Sequence, residues 1–197
     1  MTNDVRLLAF YIMPLKREQR LIKRLLDADQ KDRASSSTFR KYSDKQRLAI
    51  ISRRDEGRRA VLENLLKRNR KLKLRGIDYF RMGFMYLHSG TSRRVRKART
   101  FGQQAADQGY KPGRWLTASA TDRILTMQGK PQKFGTQFGK KPDGTWFMLP
   151  FSLSTTDTER KRNNVMPLNK IQTMINTQNR QPIRSRMSER LGHSRLT

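Results

Sequence analysis

The chain has 197 residues, no cysteine and two histidines, and its 44 Lys plus Arg face only 16 Asp plus Glu, a formal charge of +28 at pH 7. The lack of cysteine excludes disulfides, thiolate metal centres and cysteine nucleophiles, and no apolar run reaches the roughly 18 residues that a membrane span needs. Arginine outnumbers lysine 28 to 16 and the excess is spread along the chain, +13 over residues 1–76 and +15 over 77–197, so self-repulsion calls for a polyanion whose phosphates match the arginine fork.

"VRLLAFYIMP" at residues 5–14 is a short apolar run that Pro14 interrupts. Basic residues follow it rather than precede it, so it reads as part of a cytoplasmic chain and not as a signal peptide. Residues 17–33 predict an amphipathic helix with Leu21, Ile22, Leu25 and Leu26 as one narrow apolar stripe and charge elsewhere. "SDKQ" from Ser43 is a capping box with Gln46 at the third helical position. It opens a second helix with Leu48, Ile51, Val61, Leu62, Leu65 and Leu66 as buried candidates and a break expected near Gly57. Gly76 reads as a helix stop and Asp78 as the next N-cap.

Three short helices then follow with glycine-bearing turns between them. The first presents Tyr79, Met82, Gly83 and Tyr86 on one face, and the second presents Val95, Ala98, Phe101, Gly102, Ala105 and Ala106. The third starts near Pro112 and buries Trp115, Leu116 and Ile124. Small residues at the crossings let helix axes approach, the pattern of an αα-hairpin array. After Gln128 the period changes: "QKFGTQF" and "TWFMLPF", joined through Pro142-Asp143-Gly144, predict a β-hairpin within 132–151. "TDTE" at 156–159 caps a short helix, Pro167 ends or redirects it, and "LNKIQTMI" is marginally helical. The polar, arginine-bearing residues after 176 are expected to be disordered. The fold class is therefore mainly α: basic N-terminal helices over 1–76, a helical repeat region over 77–128, a hairpin and short helix packed on it over 129–176, and a basic tail over 177–197.

Two resemblances attach to these stretches. "YFRMGFMYLHSG…KARTFGQQAADQGY" resembles one Sel-like repeat, a short relative of the tetratricopeptide repeat, in its Lys97-Ala98 pair, its "QAADQG" and its small residues at helix crossings. "DADQKDR", "DYFRMGFMYLHSG", "ATDRILTMQGKPQKFGTQF" and "TTDTERKRNNVMPL" together resemble an uncharacterised bacterial family, a domain of unknown function. Where that family carries Gln-His-Gly, this chain has Leu87-His88-Ser89. The resemblance implies a fold and candidate positions, and no particular reaction.

Candidate chemistry falls into two sets. "GTQFGKK" is not a Walker loop, because only three residues stand between its glycines where the loop needs four, and no Ser or Thr follows the lysines. Two distant histidines without cysteine give no zinc pattern, so neither metal nor cofactor is expected. The remaining polar set is His88, Asp122, Arg123, Gln132, Thr136 and Gln137. It supports two readings: an enzyme pocket between the third repeat helix and the hairpin, with Arg123 as anion binder and Asp122 or His88 as base, or a clasp with Asp122 paired to Arg123 and the glutamines on backbone groups. The second set is basic: Lys67, Arg68, Arg70 and Lys71; Arg93, Arg94, Arg96, Lys97 and Arg99; and Lys133, Lys140 and Lys141 among hairpin aromatics that suit base stacking. It predicts weakly sequence-specific binding of RNA or DNA, or else of an acidic protein partner, and no membrane association.

Overall fold

The computed structural model describes residues 16–34, 39, 41–68 and 72–180. Among them are seven helices and one small antiparallel sheet, and no helix is long and apolar enough to cross a membrane. Helix α1 spans Arg17–Ala34 and α2 spans Asp44–Arg68. The expected capping box opens α2: Gln46 N donates to Ser43 Oγ at 3.3 Å while Ser43 N donates to Gln46 Oε1 at 2.9 Å. The break expected at Gly57 does not occur. Buried Asp55, Arg58, Arg59 and Leu62 hold the helix on both sides, and one helical glycine costs only about 1 kcal/mol.

Helices α3 (Gly76–Leu87), α4 (Ser92–Asp107) and α5 (Pro112–Met127) form the array. Gly76 begins α3 rather than ending the preceding helix, and close packing accounts for the glycine: a Cβ there would stand 2.7 Å from Tyr110 Cβ and 2.9 Å from the Ala105 carbonyl. Asp78 accordingly sits at the third helical position, not at the cap, and is paired with Arg75 and Arg81 at 3.0 Å each. The α4–α5 crossing is closest at Gly102 and Gly113: a Cβ on Gly113 would lie 2.5 Å from the Gly102 carbonyl. Met82, Tyr86, Val95, Ala98, Ala105 and Leu116 fill the principal core, joined by Ile22 from α1 and Leu62 from α2. Leu48 and Val61, expected inside, are exposed.

Strands β1 (Phe138–Lys140) and β2 (Trp146–Met148) pair with Phe138 opposite Met148 and Lys140 opposite Trp146. Gly144 supplies the left-handed turn residue at φ +85°. The ladder is shorter than the 132–151 span, which closes instead through an isolated parallel bridge between Gln132 and Phe151. Helix α6 (Asp157–Arg162) starts at Thr156, whose hydroxyl accepts from Glu159 N at 3.2 Å. Helix α7 (Leu168–Arg180) runs past residue 176, so the expected tail boundary moves. The reason is local: Asn179 brackets Trp146, accepting from its N–H at 2.7 Å and donating to its carbonyl at 2.9 Å. Residues 181–197 of the expected tail lie outside the described residues. A second core of Ala118, Phe134, Val165, Ile171 and Ile175 joins α5 to the hairpin and α7, and Trp115 packs against both cores.

Candidate functional site

The segment after α5 is a clasp centred on a saturated carboxylate. Asp122 is 0% exposed and its two oxygens accept four hydrogen bonds, from the N–H groups of Lys133 (2.7 Å), Phe134 (2.8 Å) and Thr136 (3.0 Å) and from the Thr136 hydroxyl (2.8 Å). Four donors exhaust the carboxylate's acceptor sites. Gln132, also 0% exposed, donates to the carbonyls of Gln137 and Leu149 and accepts from Gln137 N. Gln137 Nε2 donates to the Ser119 carbonyl and hydroxyl and to the Thr136 hydroxyl, at 3.2–3.3 Å. Arg160, 2% exposed, closes the loop from the other side through the carbonyls of Phe134 and Thr155. A ligand cannot reach Asp122 or Gln132 as they stand.

His88 and Arg123 are not part of this clasp, so the expected six-residue pocket divides. The anticipated Asp122–Arg123 pair is absent: Arg123 points to the Ser89 carbonyl at 3.5 Å, and its Nε has no hydrogen-bond partner among the described residues. Burial, with the like charge of Arg33, holds this guanidinium below its ordinary pKa. His88 Nδ1 lies 3.3 Å from Asp29 Oδ2, and the ring stacks edge-on against Phe84.

Around His88 the structure assembles a charge cluster that the sequence reading missed. Arg33 bridges Asp29 (2.7 Å) and Asp55 (2.6 Å), and Arg58 bridges Asp55 (2.7 Å) and Asp32. Arg54 reaches Asp32 at 2.5 Å. All three aspartates are buried. Burial would raise the Asp29 carboxyl, but His88 and Arg33 together with Gln30 outweigh it and hold the group below its ordinary value. Beside this cluster, α2 and the α3–α4 turn enclose a partly open cavity of about 850 Å³ whose lining includes Arg33, Arg47, Arg59, Arg94, Ser89 and Thr91.

Two ion pairs link α2 to α4: Glu56 with Arg94 at 2.5 Å and Glu63 with Lys97 at 2.8 Å. Hydrogen bonds from Arg94 and Lys97, respectively, hold these glutamates below their ordinary pKa values. Glu63 and burial, burial first, raise the Tyr86 phenol. Outside these cross-links, Arg93, Arg96 and Arg99 are exposed on α4 and Lys67 and Arg68 on α2. Arg70 and Lys71 lie outside the described residues. On the hairpin, Lys133 pairs with Glu159 at 2.7 Å and Lys140 sits over the Trp146 ring, while Lys141 is exposed. Of the hairpin aromatics, Phe134 is core, and Phe138 and Trp146 are partly buried against it.

Among the described residues, no group of three or more His, Asp or Glu side chains is arranged to hold a metal ion. No protein-family model, curated protein or solved structure matches the chain.

Proposed function

We propose that the protein binds a polyanion, RNA or DNA in the cytoplasm, through the exposed face of α4 and the adjoining end of α2. The observation that carries this reading is where the carboxylates go. Asp29, Asp32, Asp55, Asp78 and Asp122 are buried, against only Arg58, Arg59 and Arg160 among the described cations, so the accessible surface is more positive than the formal charge suggests. On α4, Arg93, Arg96 and Lys97 share the i, i+3, i+4 spacing of one solvent-facing strip, and exposed Arg99 follows Arg96 by three at its edge. Such a strip contacts phosphates and carries no base readout, so binding is weakly sequence-specific.

Replacing Arg93, Arg96 and Arg99 together with alanine tests this. Arg94 is kept, because it pairs with Glu56. Affinity for unrelated oligonucleotide sequences should fall by the same factor, measured by fluorescence anisotropy, with the thermal midpoint unchanged. A loss confined to one sequence, or no loss, contradicts the reading. Complexes recovered from cells should disperse on nuclease treatment; a partner that survives would assign the same face to an acidic protein.

A further inference from the structure

The cavity between α2 and the α3–α4 turn plays no part in the α4 surface reading, and it holds an unusual arginine. Arg59 lines it and is 4% exposed, yet its Nε and Nη1 have no hydrogen-bond partner among the described residues, and its Nη2 only approaches Glu56 at 3.5 Å. Buried polar groups in native proteins are paired, by protein, water or ion, because leaving them bare is costly. A second feature converges on the same space. Thr91, the N-cap of α4, lines the cavity and makes no side-chain cap hydrogen bond, which leaves the positive end of a 16-residue helix without that acceptor.

The charge balance agrees. Arg33, Arg47, Arg59 and Arg94 line the cavity against Asp44, Asp55 and Glu56. Two of those carboxylates are already engaged: Asp55 by Arg33 and Arg58, and Glu56 by Arg94 through contacts of 2.5 and 3.1 Å. The hydroxyls of Ser89 and Thr91 stand 3.4 Å apart at the wall. This is the inventory of an anion site: planar guanidinium donors, hydroxyls and a helix N-terminus.

We propose that this cavity binds a phosphomonoester dianion, with Arg59 and Arg94 as its guanidinium ligands and the start of α4 as its helix-terminal donor. Arg94 would exchange Glu56 for phosphate on binding. The volume of about 850 Å³ exceeds that of a bare phosphate and is within the range of small-molecule sites. The phosphate therefore belongs to a phosphorylated small molecule or to the phosphorylated end of a nucleic-acid strand.

Calorimetric titration with inorganic phosphate at constant ionic strength tests the site, followed by competition from short strands carrying a 5′-phosphate or a 5′-hydroxyl. Saturable one-site binding is expected. Arg59→Gln should weaken it about tenfold or more, as expected for losing a charge-assisted bond. Arg94→Gln, at a partly exposed position, should weaken it in the same sense, with the thermal midpoint recorded beside the affinity. The triple change at Arg93, Arg96 and Arg99 should leave it intact, so failure of the surface reading and failure of this one are separable. Preferential competition by the 5′-phosphate strand assigns the group to strand ends; equal competition by both strands, with phosphate binding retained, assigns it to small molecules. Non-saturable binding, or affinity unchanged in Arg94→Gln, overturns the proposal.

Discussion

Asp122 shows how much one residue fixes. Its carboxylate replaces solvent for the loop amides of Lys133, Phe134 and Thr136 and for a hydroxyl, so it sets the path from α5 into the hairpin. Asp122→Asn would place an amide donor against N–H donors in a site with no exposure, and should cost about 3 kcal/mol in urea unfolding. That the segment is polar and specific was readable from "GKPQKFGTQF"; that its carboxylate serves backbone and not Arg123 was not, because sequence spacing carries no loop path. Asp29 gives a pH signature. Its folded value is held below the ordinary 3.8, so its contribution is complete above that value and is lost as pH falls through the lower folded one. The stability gap between wild type and Asp29→Asn should therefore narrow below about pH 4, as followed by unfolding midpoints at stepped pH.

At the scale of elements, α2 explains why the charge cluster was hidden. Its buried stripe runs Ile51, Asp55, Arg58, Arg59, Leu62, at the three-to-four spacing of a helix face, but three of those five positions carry charge and read as solvent face in a basic chain. The same holds in α1, where Asp29 follows Ile22 by seven residues on the buried side. Periodicity counted on apolar residues alone loses such a stripe. The α3–α5 array was legible for the opposite reason: Gly83, Ala98, Gly102 and Ala105 are small residues, the last three at helical spacing on one face, and mark the crossings directly. Glycine substitutions separate these cases. Gly113→Ala would drive a Cβ into the backbone of Gly102 and Ala106 and should destabilise by about 2 kcal/mol or more. Gly57→Ala has nothing within 4 Å of the new carbon and should stabilise α2 by about 0.5–1 kcal/mol, both read from thermal or chemical denaturation.

For the whole molecule, +28 is a property of the surface more than of the interior. Five of the sixteen carboxylates are spent inside, on arginine bridges in the α1–α2 cluster and at Asp78, and on backbone amides in the clasp. Composition alone disclosed the sign and size of the charge; the burial that concentrates it outside needed the fold. If about six phosphates are neutralised, the logarithm of affinity should fall linearly with the logarithm of salt, by about three decades between 50 and 200 mM. A salt titration of the binding constant for a mixed-sequence duplex measures that slope. The account predicts a steep, sequence-independent line; a flat line, or no binding at the low-salt end, would contradict it.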